Sequence, residues 1–140
     1  MSKIKAIGFW ALSLTWGGIM TAIGLVAAFF LIILGNKPKI YHYFICFEVG
    51  YNWGGVNLGA VFIVCRNCSE ATKRHEAGHG LQNIMLGVFM LFIVAIPSFV
   101  RYWYRVYLER YNKEKFSQLE PYDAFWVEGW ATELGWKYFR

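Results

Sequence analysis

The chain has 140 residues, enough for one domain with one modest core. Its 57% hydrophobic and 20% aromatic content departs from that of an ordinary soluble domain, and its formal charge of +5 sits on basic residues beside apolar segments. That placement suits a lipid bilayer with anionic headgroups, and in the absence of any nucleic-acid motif it excludes nucleic acid as the expected partner.

Residues 6–36 carry no charged side chain, and they are flanked by Lys3 and Lys5 before and Lys37 and Lys39 after. A helix needs about 20 apolar residues to cross a bilayer, whereas the core of a cleaved signal sequence has only about 7–15. The segment is therefore expected to be a transmembrane anchor. Residues 40–49 and 56–64 are rich in β-branched and aromatic types, with a Gly/Asn-containing stretch, residues 50–55, between them. This is the pattern of a β-hairpin over residues 40–65, with Gly54 and Gly55 serving the turn. The three cysteines, Cys46, Cys65 and Cys68, are an odd set that argues against a disulfide framework. Cys65 and Cys68 are expected to be ordinary residues of the strand-to-helix turn.

Ser69 offers an N-cap, and Glu70 lies in the favourable first turn of the helix that follows. That helix is expected to span residues 69–96 and to stop at Pro97-Ser98, because proline cannot continue the hydrogen-bond ladder. Over residues 98–116 aromatic side chains alternate with Arg101, Arg105, Glu109 and Arg110, as in an amphipathic interfacial helix. After a break at Pro121, Asp123 is expected to cap a last helix within residues 122–136. Trp126, Trp130 and Trp136 are read as core and interfacial anchors.

His75-Glu76-Ala77-Gly78-His79 carries the chemistry. Four residues apart on a helix, the two histidines share a face, and Glu76 points toward the same cleft. Two imidazoles can then hold Zn2+ while a neighbouring carboxylate takes a proton from bound water. A hydrolytic zinc site wants a third protein ligand and an open position, and the last helix offers Glu128 and Glu133.

Here the chain resembles a known family. Glu128-Gly129-Trp130-Ala131, downstream of the histidine motif, is similar to the Glu-x-x-Ala pattern of gluzincin zinc metallopeptidases, whose third ligand is that glutamate; Glu133 does not match. Gly78 inside the first motif resembles the membrane-bound members. The wider run of residues 52–59, 75–82, 96–98, 101–105 and 122–135 resembles small uncharacterised bacterial membrane proteins. The resemblance implies an integral protein of a bacterial cytoplasmic membrane. It implies a zinc-dependent endopeptidase that cuts peptide or protein substrates by Glu76-assisted attack of zinc-bound water. His75, His79 and Glu128 would be the ligands. The chain departs from the pattern at Thr132, where the family has Asp to orient a ligand histidine; a threonine can accept that hydrogen bond without charge. Gln82, one turn beyond His79, is a further candidate partner of the ligands. For the donor that meets the developing oxyanion, Tyr104, Arg101, Arg105, Tyr102 and His42 are candidates.

A shared site also constrains the path of the chain. If residues 81–100 crossed a bilayer once, Glu128 would emerge roughly 30 Å from the histidines, too far for bonds of about 2 Å. The expected fold is thus an α+β membrane protein of one domain. It has an N-terminal transmembrane helix, a small β-hairpin and a zinc-motif helix that runs into an apolar helical hairpin turned at Pro97. The hairpin's arms are near-equal, about 27 Å each, and a C-terminal glutamate helix follows. Two non-catalytic alternatives stand beside the enzyme. One is a zinc-stabilised membrane scaffold or pseudoenzyme. The other is a closed structural site built from Cys65, Cys68, His75 and His79.

Overall fold

In the computed structural model, which describes residues 3–140, the uncharged N-terminal stretch is two helices, α1 (Lys3–Leu14) and α2 (Gly18–Ile33), set at 97° to each other. The expected single anchor over residues 6–36 is thereby corrected. The cause is local. Gly17 and Gly18 weaken the helix where they meet, and buried Asn83 donates from a later helix to the Gly17 carbonyl at 3.2 Å. A Cβ on Gly17 would lie 2.4 Å from Asn83 Nδ2, so the corner is shaped to admit that amide.

The predicted hairpin is a four-stranded sheet of order β1-β2-β4-β3, made of β1 (Lys39–Tyr41), β2 (Phe44–Glu48), β3 (Gly55–Leu58) and β4 (Val61–Val64). Each of the two predicted strands is itself a short hairpin. The first turns at His42, with φ 53°, and the second at Gly59, with φ 75°. Gly59 begins a two-residue turn where positive φ is required, and a Cβ there would also meet Thr21 Oγ1 at 2.4 Å. Instead of pairing antiparallel, β2 and β4 run parallel in the register Ile45 to Val61 through Glu48 to Val64. The stretch between β2 and β3 is a connection that carries the chain to the sheet's far edge.

Buried Phe44, Cys46, Phe62 and Val64 make one core with Phe9 of α1 and Phe139 near the C-terminus. Phe47 and Val61 pack instead against Ala28 of α2. Helix α3 (Glu70–Leu86) starts as expected, with Ser69 Oγ accepting from Thr72 N at 3.3 Å.

The chain turns earlier than expected. Helix α3 stops at Gly87, whose φ of 57° favours glycine and whose Cβ would strike the Trp16 ring. A 3₁₀ turn (Gly87–Phe89) and a π turn (Leu91–Ala95) lead into α4 (Ile96–Tyr111), and the two arms are bent by 118°. Pro97 is therefore not the hairpin tip. It sits in the first turn of α4, where its missing N–H leaves no gap in the ladder. Residues 69–96 are not one helix, and the bend falls between Phe89 and Leu91. The return segment, residues 98–116, is α4 followed by the short α5 (Lys113–Ser117), which Asn112 caps by accepting from Lys115 N at 3.1 Å. The 3₁₀ turn Tyr122–Ala124 then precedes α6 (Trp126–Tyr138).

The fold is α+β. Among the described residues no single helix is long and apolar enough to cross a membrane; the pairs Lys3–Leu14 with Gly18–Ile33 and Glu70–Phe89 with Leu91–Tyr111 reach that length and composition only together.

Candidate metal centre

Helices α3 and α6 pack against each other, and the residues around the two motifs explain how closely. A Cβ on Gly78 would lie 1.9 Å from the Ala131 carbonyl oxygen, and one on Gly135 would lie 2.2 Å from that of Arg74. Small residues at both crossings bring the backbones together and swing Glu128 over the face that carries His75 and His79. Gly129 acts on the other side. Its absent Cβ, which would stand 2.7 Å from the Asp123 carbonyl oxygen, lets the Tyr122–Ala124 turn fold onto the first turn of α6.

His75, His79 and Glu128 converge in a group that can hold a metal ion. The His75 Nε2 and His79 Nε2 atoms are 3.1 Å apart, and each is 3.1 Å from Glu128 Oε2. The neighbours assign the tautomers. Gln82 donates through Nε2 to the Val127 carbonyl at 2.8 Å, so its Oε1 accepts from His79 Nδ1 at 2.7 Å. Thr132 donates its one hydroxyl proton to Asp123 Oδ2 at 2.8 Å, so Thr132 Oγ1 accepts from His75 Nδ1, also at 2.8 Å. Both imidazoles thus carry their proton on Nδ1 and aim the Nε2 lone pair at a carboxylate oxygen and at each other. Three electron-rich atoms at this spacing call for a cation.

Electrostatics agree. Burial acts to raise the Glu128 carboxyl, only 1% exposed, but hydrogen bonds from His75 and His79, made when those rings take a second proton on Nε2, outweigh it and hold the group well below its ordinary range. For His79 burial favours the neutral ring, and the adjoining Glu128 carboxylate outweighs that and raises it. Positive charge, whether a proton or a metal ion, is drawn to this point.

Glu76 lies beside the group, 5% exposed, with Oε2 buried and no hydrogen-bond partner among the described residues. Burial pushes its carboxyl up, which marks a group poised to hold or exchange a proton. Its position rests on Gly55, where a Cβ would stand 2.7 Å from Glu76 Oε1. Gly55 is therefore more than a turn residue: the missing side chain makes the room that the Glu76 carboxylate occupies. Asn57 secures the same helix by donating to the Glu76 carbonyl at 2.9 Å.

The group opens into a cleft of about 1360 Å³ between β3, α3, α4 and the Tyr122 turn. Of the candidate oxyanion donors, Tyr102 lines it and donates to the Trp53 carbonyl at 3.3 Å. Arg105 also lines it, but its guanidinium donates to the Glu120 carbonyl and lies over the Phe116 and Tyr122 rings. Arg101 donates to the Pro121 carbonyl and lies over Tyr122 and Phe125, so both arginines brace the turn. Tyr104 is 45% exposed and does not line the cleft, and His42 packs at a tilt against Phe139 at the β1–β2 turn.

Three residues near the centre lay outside the candidate set. Tyr122 Oη donates to Glu128 Oε1 at 3.4 Å, and burial raises its hydroxyl pKa. Asp123 does not cap α6, whose N-cap is Phe125 with no side-chain bond; its carboxylate serves Thr132 instead. Ser98 Oγ lines the cleft, buried and without a hydrogen-bond partner among the described residues. Trp136, read as an anchor, is a wall of the cleft with the Arg74 guanidinium 4.5 Å above its ring.

Cys65 and Cys68 are joined by a disulfide and donate nothing to the histidines, which removes the closed four-ligand site and corrects their reading as ordinary turn residues. Cys46 is free and buried. No protein-family model, no curated protein and no solved structure matches the chain.

Proposed function

We propose that the protein is a membrane-bound, gluzincin-like zinc endopeptidase, with His75, His79 and Glu128 as ligands and Glu76 as general base. One observation carries the reading: two imidazole lone pairs and a carboxylate oxygen, fixed by their own hydrogen-bond partners, form a triangle of 3.1 Å sides. A tetrahedral ion with bonds of about 2.0 Å wants donors roughly 3.3 Å apart, so the triangle supplies one face and leaves the fourth position to the cleft. Two histidines and one carboxylate are a donor set that zinc takes in hydrolases. Zinc bound there supplies Lewis acidity, which lowers the pKa of a coordinated water and polarises a substrate carbonyl.

The chain's own groups do the rest. Glu76 Oε2, unpartnered among the described residues and next to the group, accepts a proton from the attacking water and returns it to the leaving nitrogen. The hydroxyl of Tyr122, held beside Glu128 and braced by two arginines, is the donor assigned to the developing oxyanion, and to serve it the hydroxyl turns its one proton away from Glu128 Oε1. Strand β3 ends the sheet along the cleft, and an extended substrate adds to that edge.

The membrane assignment rests on exposed apolar surface. Ile19, Ile23, Val26, Phe29, Phe30 and Ile33 of α2 all face outward, as do Phe92, Phe99 and Trp103 on the α4 arm. A lone soluble domain rarely exposes patches of that extent.

The decisive variant is Glu76→Gln. It should keep a full equivalent of zinc by elemental analysis and lose peptide cleavage by at least about a hundredfold. A wild type that binds zinc yet cleaves nothing in any lipid environment would make the protein a zinc-stabilised scaffold.

A further inference from the structure

We propose that the cleft is built for an extended peptide with bulky apolar residues on the N-terminal side of the bond cut and a polar flank on the C-terminal side. That is the chemistry of a chain where it leaves a membrane-embedded segment. The inference names the substrate class for the peptidase reading above and rests on it.

Both walls of the cleft change character in the same direction. Strand β3 begins at Gly55, against the Glu76 carboxylate, and ends at Leu58, where a Cβ on Gly24 of α2 would lie 2.2 Å from the Leu58 carbonyl oxygen. Over about 10 Å the strand thus passes from the metal group to the apolar neighbourhood of Met20 and Ile23. On the facing wall one stripe at helical spacing, Leu91, Val94, Ser98, Tyr102, Arg105 and Glu109, runs from aliphatic through hydroxyl to charged, with Phe99, Trp103 and Val106 lining the cleft beside it. Two contacts align the walls. Leu58 packs with Met20, Met90 and Val94 at the apolar end, and Tyr102 Oη donates to the Trp53 carbonyl just before β3 begins. The charged end of the stripe therefore lies beyond the metal group, and the aliphatic end lies beside Leu58.

Strand direction turns this gradient into a sequence preference. Strand β3 runs from the metal group toward the apolar end, and its outer edge is unpaired among the described residues. A peptide added antiparallel, the more stable pairing per residue, runs the opposite way and reaches the metal group after its apolar part. At the aliphatic end Ile23 is 45% exposed and continues the outward apolar face of α2, so this end opens toward the surface expected to meet lipid. Cleavage breaks the carbon–nitrogen bond at the metal group; the hydroxyl of water joins the acyl carbon and its remaining proton goes to the amine.

The test uses the full chain, zinc-loaded, in phosphatidylcholine vesicles. Two synthetic peptides share one composition: one has a Leu/Val-rich N-terminal half and a Ser/Lys/Glu-rich C-terminal half, and the other has the halves exchanged. The first should be cut with kcat/KM at least tenfold higher, near its junction. Ile23→Asn should erase most of that preference through KM while leaving zinc content unchanged. Equal rates for both peptides, or a preference for the exchanged order, overturns the substrate assignment and leaves the peptidase standing. Zinc-loaded protein that cuts neither peptide overturns the peptidase reading and this inference with it.

Discussion

Asp123, Thr132 and His75 form a chain of hydrogen bonds that ends on a nitrogen lone pair. The carboxylate takes the threonine proton, the threonine oxygen is thereby left to accept, and the imidazole is held with Nε2 bare. A carboxylate thus acts on the histidine through an intervening hydroxyl. Thr132→Val and Asp123→Ala should each weaken metal binding by about 10–100-fold, read by competition with a chromophoric chelator, whereas Thr132→Asp should restore the direct contact and keep affinity. Unchanged affinity in Thr132→Val would show that the relay is incidental. Binding should also fall with pH. His79 is raised in the metal-free protein, so a proton holds Nε2 to a higher pH than on a free imidazole, and affinity should keep climbing as pH passes above about 6.5. The histidines and Glu76 were legible in the sequence because helical spacing puts them in one short motif, whereas Glu128 was separated from Glu133 only by its resemblance to a Glu-x-x-Ala pattern. Asp123 was not, because an acidic residue just before a helix reads as a cap until the turn is seen folded back on Thr132.

At the level of elements, the crossing of α3 and α6 decides whether a site exists. Gly78→Ala would drive a methyl into the Ala131 carbonyl, and because that neighbour is backbone, the helices must part. The expected result is a stability loss of about 1–3 kcal/mol in denaturant titration and loss of most metal affinity. Gly8→Ala is the control: nothing lies within 4 Å of its added Cβ, and both quantities should be unchanged. Element types were largely readable from composition and periodicity, but the joints were not. Gly17, Gly59 and Gly87 break what read as continuous segments, and each does so against a tertiary neighbour: Asn83, Thr21 and Trp16. Pro97, the loudest local signal, changes little, since a proline in a first helical turn costs no hydrogen bond.

On the scale of the whole molecule, two bent helix pairs surround a small sheet and carry outward apolar side chains on both. If these surfaces meet lipid as proposed, the protein should stay with the membrane fraction through an alkaline carbonate wash, and its release would sink the membrane assignment. The spacing of the donors along the chain has its own consequence. Glu128 stands 53 residues from His75 and 49 from His79, and α4, α5 and the Tyr122 turn lie between. An ion held by all three donors ties two distant points of one polymer, as a covalent cross-link would. Closing a loop of this size in the unfolded chain costs on the order of 4 kcal/mol of configurational entropy, the scale of constraint a disulfide imposes. Chelation would then do more than silence a reaction: it would untie the loop, and the connecting helices would become the part of the chain that a protease reaches first.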